Sequence, residues 1–235
     1  MDGAAERTRQ KALALNLDAM TYGTLAEIGG GQEVARWFFS VGGAAGTIAK
    51  TISAYDMAVS DGLYGHTTRY VSRERLEAML QQEFTQLMQQ LQTNRGQKKC
   101  FFAFADTVAT RSYQKPGEGR GWLGLRFQAK PQEEPSEIII HAHLADLTST
   151  RQQEALGVLG VNLIHGAFYR RGSVEDLLAA ITEGLSREQI EIDMIKLSGP
   201  AFADVDNRLM SLLLVERGLT DAAMFTSGGE VVQPS

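Results

Sequence analysis

The stretch CFFAFADTVATRSYQKPGEGRGWLGLRFQAKPQEEPSEIIIHAHL, residues 100–144, decides the fold. It contains three apolar runs with the composition of β-strands: Cys100 to Val108, Trp122 to Ala129 and Ile138 to Leu144. The two links between these runs lack helical periodicity and are short enough for hairpin connections. We therefore predict an antiparallel meander, because parallel strands would need a crossover helix in each link.

The residues before this stretch have helical periodicity. One apolar stripe runs from Val34 to Val41, and the clearest runs from Leu76 to Leu91. The stripe from Leu76 to Leu91 follows Ser72, and serine commonly caps a helix N-terminus. These patterns predict an all-helical segment from about Lys11 to Leu91.

The residues after the meander alternate between helix and strand patterns. Helices are predicted over Thr150 to Tyr169, after Ser173 and over Asp206 to Arg217, a strand over Ile190 to Leu197, and a closing hairpin between residues 222–225 and 231–232. The predicted class is α+β. A helical segment (residues 1–95) packs on a mixed, largely antiparallel sheet that the later helices cover (residues 96–235), and together they form one compact unit.

The bulk composition is that of an ordinary globular protein, with 235 residues, 43% of them apolar and 22% charged. The net charge of −5 gives no electrostatic reason to expect nucleic acid or an anionic membrane as a partner. No apolar run reaches the length of a membrane span, and the first residues lack the pattern of a secretory signal. With Cys100 as the single cysteine, and with burial expected for it, these features predict a soluble cytoplasmic protein.

Two glycine-rich turns invite a comparison with nucleotide-binding loops. Residues 42–51 read GGAAGTIAKT, but a P-loop needs glycine directly before the lysine, and Ala49 holds that position. At the other turn, Gly29 to Gly31, the negative charge that a helix start favours is already supplied by Glu33. Packing through small residues is the favoured interpretation of both turns, with phosphate binding at a helix start as the alternative.

A histidine pair is the first candidate site. His141 and His143 are two residues apart in a predicted strand, so they share one face and can reach one metal ion, with Asp146 just beyond the strand end. A transition metal needs at least a third ligand. Asp106 and Asp193 can contribute if their strands are neighbours. Two histidines on the polar face of a strand also need no metal, and both interpretations stay open.

A second grouping surrounds the end of the predicted strand at residues 190–197. Four polar residues between this strand and the next helix are candidate ligand contacts: Asp204, Asp206, Asn207 and Arg208. Asp204 or Asp206 is equally well explained as a helix N-cap. Lys196, inside the strand, joins Asp106 and Asp193 as candidate catalytic residues.

Two classes of function follow from these observations. The first is self-association as a homo-oligomeric assembly or interaction module, which the small-residue helices and the apolar end at Val232 favour. The alternative is an enzyme or a small-molecule binding module for a nucleotide, a phosphate or a metal, with its site at the sheet edge. No particular cofactor is predicted. The apolar residues so near Ser235 also favour a longer natural protein.

Several stretches resemble a family of uncharacterised bacterial cytosolic proteins, whose members are often labelled TonB-dependent receptor or nicotinate-nucleotide adenylyltransferase. The stretches are Leu15–Asp18, Tyr22–Thr24, Ala26–Arg36, Phe101–Thr107, Gln153–Asn162 and Val205–Ser211. The resemblance implies that members continue well past Ser235. The residues support neither label, because a receptor of this kind needs a signal peptide and the adenylyltransferase signature needs a different histidine spacing and place. No functional residue is carried over from the family.

Overall fold

A computed structural model describes residues 2–111 and 119–232. The strands in these ranges are β1 (Thr21–Ile28), β2 (Ile48–Ile52), β3 (Cys100–Ala109), β4 (Gly119–Phe127), β5 (Ser136–Leu144) and β6 (Ile190–Ser198). The helices are α1 (Asp2–Leu17), α2 (Glu33–Ser40), α3 (Met57–Tyr64), α4 (Arg73–Arg95), α5 (Ser149–Tyr169), α6 (Val174–Thr182) and α7 (Asn207–Glu216). Most of the link between β3 and β4, residues 112–118, lies outside the described ranges.

The six strands form one mixed sheet in the order β2-β1-β3-β4-β5-β6. β1 pairs in parallel with β2 on one side and with β3 on the other. The remaining three pairs, from β3 to β6, are antiparallel. The predicted α+β class, the meander of β3, β4 and β5, and the later strand β6 are therefore confirmed.

The prediction of an uninterrupted helical segment from Lys11 to Leu91 is wrong at two places, because Thr21–Ile28 and Ile48–Ile52 are strands. β1 lies inside the sheet, and nearly all of its residues are buried. A strand that is covered on both faces shows no alternation of apolar and polar residues, so its sequence lacks the pattern by which strands are predicted. The sheet thus draws strands from both sides of the boundary predicted near residue 95.

The GGAAGTIAKT turn is also not a helix start. Its second half is β2, and Lys50 in that strand forms an ion pair with the buried Glu83 of α4, at 2.6 Å between Nζ and Oε2. Gly43 has a φ of 77°, in the left-handed region that favours glycine. The turn leads into β2, so the prediction that it joins two packed helices is wrong.

Helices cover both faces of the sheet. α3 and α4 pack on one face, which we call the α4 face, through residues such as Leu76 and Leu80. α1, α2, α5, α6 and α7 contribute to the core on the other face, called the α5 face. The N-terminal helices are therefore split between two layers, and do not form the single layer that the sequence predicts.

Local signals place several elements as predicted. Ser72 caps α4 through a hydrogen bond from the N–H of Arg75, and Ser173 caps α6 in the same manner. A single bridge joins Phe225 to Val231 in the predicted closing hairpin. Cys100 is buried, and burial raises the pKa of its thiol. In the described ranges, no helix has the combination of length and apolar character that crossing a bilayer requires.

Candidate metal centre

One row of residues crosses the sheet near the carboxyl ends of the parallel strands. In register, Ile28 of β1 faces Thr107, Thr107 faces Trp122, Trp122 faces His141, and His141 faces Met194. Residues that face each other across paired strands point to the same side of a sheet. Trp122 and Met194 belong to the core that α4 covers, so the row lies on the α4 face.

A bulge in β6 brings an acidic residue to this row. His141 pairs with Met194 and the next residue, Ala142, pairs with Ile192, so Asp193 is one residue in excess on β6. A bulge of this kind re-aims the extra side chain. Ile192 belongs to the core of the α5 face and Met194 to that of the α4 face, so the bulge leaves both Asp193 and Met194 on the face of His141.

The Asp193 carboxylate bridges the two histidines. Its Oδ1 lies 2.7 Å from Nδ1 of His141, and its Oδ2 lies 2.9 Å from Nε2 of His143. The ring of His141 packs on Trp122 with 4.6 Å between ring centroids, and its side chain is only 3% exposed. The side chains of His143 and Asp193 are 33% and 19% exposed, so the cluster is closed beneath and open to solvent on one side.

The electrostatics of the cluster favour an ionised carboxylate. Burial by itself raises the pKa of Asp193, but the hydrogen bonds and charges of His141 and His143 outweigh burial and hold this pKa below its usual value. A carboxylate flanked by two imidazoles offers one oxygen and two nitrogen ligand atoms. In the described part of the chain, these three side chains are the group whose ligand atoms converge, all within 4.8 Å of one another.

Two of the predicted partners of the histidine pair lie elsewhere. Asp106 belongs to β3, where Phe104 and Val108 face the core of the α5 face, so Asp106 points away from the histidines. The Asp146 carboxylate lies 3.9 Å from the Arg151 guanidinium and is not part of the converging group.

Asp106 forms a buried acidic pair with Glu27, a residue that the sequence analysis missed. The two residues face each other across β1 and β3. Glu27 accepts the N–H groups of Val34 (3.0 Å) and Ala35 (2.9 Å), so this side chain, and not Glu33, holds the start of α2. Burial raises the pKa of Glu27 to about 7 despite these bonds, and burial with the nearby Glu27 raises the pKa of Asp106.

The second grouping, at the end of β6, includes residues that bind other parts of the same chain. Asp206 caps α7 through the N–H of Arg208 and forms an ion pair with the Arg208 guanidinium at 2.6 Å. The Asn207 amide accepts the N–H of Leu197 at 2.7 Å and donates to its carbonyl at 2.9 Å, as a paired strand would. Asp204 is exposed and lines a separate cavity.

Lys196 does not join the histidine cluster. It lies three residues beyond Asp193 on β6, is exposed, and lines a cavity with Arg73, Asn207 and Glu230. Of the candidates named from sequence, the structure brings together His141, His143 and Asp193. Trp122, which packs on the cluster, was seen in the sequence only as a core residue of a strand.

No protein-family model and no curated protein matches this chain. Among solved structures, it is similar to the competence/damage inducible protein CihA from Agrobacterium tumefaciens, with 16% identity and a TM-score of 0.47 over 68% of this chain and 94% of that one. It is also similar to a competence-damaged protein (CinA) superfamily protein from Enterobacter cloacae, with 11% identity and a TM-score of 0.44 over 69% of this chain and 90% of that one.

A third similar structure is the competence damage-inducible protein A (ComA) from Klebsiella pneumoniae, with 12% identity and a TM-score of 0.44 over 69% of this chain and 94% of that one. None of the three is described as a TonB-dependent receptor or an adenylyltransferase. Similarity at this level assigns no function to this chain.

Proposed function

We propose that this protein binds a divalent transition-metal ion of the zinc class through His141, His143 and Asp193. The observation that carries the proposal is the convergence of two imidazole nitrogens and one carboxylate oxygen within 4.8 Å. Two histidines with one carboxylate form a ligand set that zinc and related ions use in enzymes.

The three ligand side chains are close enough to be drawn onto one ion. Ligand atoms around a tetrahedral zinc ion lie roughly 3.3 Å apart, because each is about 2.0–2.2 Å from the metal. In the cluster the two nitrogens contact different oxygens of Asp193, at 2.7 Å and 2.9 Å, and the three ligand atoms lie within 4.8 Å of one another. Binding would draw both nitrogens and one oxygen toward the zinc spacing. Rotation of the partly exposed His143 and Asp193 side chains can supply that change.

The alternative use of this cluster is a histidine–carboxylate pair for proton transfer. Proton transfer needs only one histidine held by Asp193. It gives no role to the second histidine, which contacts the other oxygen of the same carboxylate. Binding of a metal ion uses all three side chains. It also leaves at least one coordination position for water or a small ligand on the solvent side, since three protein ligands do not complete the shell.

The test is a competition titration of zinc against a chromogenic chelator, on protein that was first dialysed against EDTA. We expect one zinc ion per chain, and at least tenfold weaker binding in His143→Ala and in Asp193→Asn. His66→Ala is the matched control, because His66 is an exposed histidine paired with Asp61 outside the cluster. Equal affinity in all four proteins would contradict the proposal.

Self-association is kept as a second proposal, and it has one specific structural observation in its favour. Leu209 and Leu212 of α7 are 60% and 51% exposed, and Met224 and Phe225 of the nearby C-terminal hairpin are exposed as well. Neighbouring exposed apolar side chains on a surface often mark a contact between proteins. A second copy of this chain would cover them.

Native mass measurement tests this second proposal. The wild type is expected to form a discrete oligomer that Leu212→Glu dissociates into monomers. Leu147→Glu is the control, since Leu147 is 76% exposed in the loop before α5. A monomeric wild type would refute self-association.

A further inference from the structure

We propose that a pocket around Arg75 and Ser60 binds the carboxylate or phosphate group of a small organic anion. The pocket lies beside the carboxyl ends of β1 and β3, between these strands and helices α3 and α4. It has a volume of about 230 Å³, and its walls include Tyr55, Met57, Ser60, Tyr70, Arg75 and Thr107. This inference goes beyond the proposed metal site and does not depend on it.

The first argument is a buried guanidinium with an unused donor. The Arg75 side chain is 1% exposed and lies against the ring of Tyr70, 5.2 Å from its centroid. One terminal nitrogen donates to Asp61 at 2.7 Å and the other to the Ser60 carbonyl at 3.3 Å. Its Nε has no hydrogen-bond partner in the described part of the chain.

The second argument is a second unpartnered donor at the same pocket. Ser60 is 2% exposed, and its hydroxyl has no hydrogen-bond partner among the described residues. Buried polar groups without partners are rare, because each has lost its bonds to water without a replacement. An oxygen-bearing ligand that contacts both Arg75 and Ser60 would satisfy both groups together.

The chemistry of these groups indicates the kind of ligand. A guanidinium N–H can only donate a hydrogen bond, so the complementary group must be an acceptor. Ionised acceptors form the stronger bonds with arginine, and carboxylates and phosphates match its planar donors. The lining also includes Tyr55 and Met57, which are largely exposed at the protein surface, and an apolar ligand body would pack against them.

The pocket is distinct from the metal centre, although both belong to one row across the sheet. Thr107 lines the pocket, and Trp122 separates it from His141 in the register. Two strand spacings place the two sites about 10 Å apart. Loss of zinc binding in His143→Ala should therefore leave anion binding unchanged.

The test follows the Nε–H resonance of Arg75 by ¹⁵N NMR while small probes are added to the full chain. Benzoate and phenyl phosphate carry the two anionic groups on the same apolar body, and whichever shifts the Arg75 signal at lower concentration identifies the preferred group. Benzyl alcohol has the body without the anion and should bind at least tenfold more weakly. Inorganic phosphate supplies the anion without the body and should also bind more weakly.

Variants separate a binding role from a structural role. Ser60→Ala removes one unpartnered hydroxyl, so the fold should persist while the affinity for the better probe falls about tenfold. Arg75→Lys keeps the charge but removes Nε, and should reduce the affinity at least tenfold. Arg73→Lys is the control on the same helix turn, where Arg73 pairs with Glu77, and should leave the affinity unchanged.

Two results would overturn the proposal. One is the absence of a saturable shift of the Arg75 signal with either anionic probe in the wild type. The other is an affinity that stays the same in Ser60→Ala and Arg75→Lys, which would place the probe elsewhere on the protein.

Discussion

Nδ1 of His141 lies 2.7 Å from Oδ1 of Asp193, although the two residues are 52 positions apart in the chain. The contact lies at the bulge in β6, where Asp193 and Met194 both lie on the face of His141. The proposed metal site therefore lies at a local irregularity in the pairing of two strands.

The ring of Trp122 reports on this site. It packs on His141 at 4.6 Å between ring centroids, whereas the other tryptophan, Trp37, lies on α2 across the sheet. A paramagnetic ion such as Cu²⁺ in the cluster should quench Trp122 fluorescence in a saturable manner. Trp37→Phe should keep that quenching and Trp122→Phe should abolish it, as measured by fluorescence titration. Equal quenching in both variants would place the ion outside the cluster.

Glu27 should make stability depend on pH. Its pKa rises from 4.5 to about 7 on folding, so between these values the folded protein holds a proton that the unfolded chain has released. The contribution of Glu27 to the free energy of unfolding should then decrease as the pH rises from 4.5 to 7, by about 3 kcal/mol for the full difference. His165, whose pKa burial lowers to about 4, contributes in the opposite direction, so the Glu27 contribution is the difference between the wild type and a Glu27 variant. Urea denaturation at several pH values measures this slope.

Glu27→Gln should lose this contribution, because the side chain no longer titrates, while Asp106, whose pKa burial also raises, keeps its own. Glu175→Gln, at the exposed first turn of α6, should leave it in place. The same pH dependence in the wild type and in Glu27→Gln would show that Glu27 does not carry this effect.

The close contact of α5 with α2 should depend on glycine. A Cβ at Gly160 would lie 2.3 Å from Cγ2 of Val34 and 3.0 Å from Cζ of Phe104. We expect Gly160→Ala to destabilise the protein by about 1–3 kcal/mol, as overpacking does. Gly62→Ala in α3 meets nothing within 4 Å and should stabilise by up to about 1 kcal/mol. Thermal unfolding measures the stability of the two variants. Equal changes in stability would contradict the close contact at Gly160.

Asn207 should matter for stability and not for ligand binding. Asn207→Ala removes two hydrogen bonds to the main chain of Leu197 on the edge strand, and should cost about 1–3 kcal/mol in urea denaturation. Arg208→Ala breaks an exposed ion pair with Asp206 and should change stability by less than about 1 kcal/mol. An Asn207 variant as stable as the wild type would revive Asn207 as a candidate ligand contact.

The sequence predicts those elements whose residues alternate or repeat at a fixed period. β6 was found because polar residues such as Glu191 and Asp193 interrupt its apolar ones, and α4 because Leu76 begins a clear stripe. β1 was missed because its residues are buried on both faces and its strand state depends on pairing with β3, far along the chain. Pairing between residues so far apart produces no repeating apolar pattern in the local sequence.

The candidate site was half predictable. His141 and His143 share a face by their spacing alone, but the participation of Asp193 depends on the pairing of β5 with β6, which the sequence does not show. Arg75 was overlooked because a charged residue on a helix is usually exposed. Its position four residues before the buried Met79 was the signal that it lies on the covered stripe.

The position of β1 inside the sheet also has a consequence during synthesis of the chain, because one partner of β1 is made much later than β1 itself. β1 ends at Ile28, and its second partner β3 begins only at Cys100. At a synthesis rate of ~5–20 residues per second, the ribosome needs roughly 4 to 14 s to produce the intervening 71 residues. Throughout that interval the edge of β1 that pairs with β3 in the folded protein has no partner, and other unfinished chains can pair with it. Newly made copies are therefore most exposed to mispairing before β3 emerges.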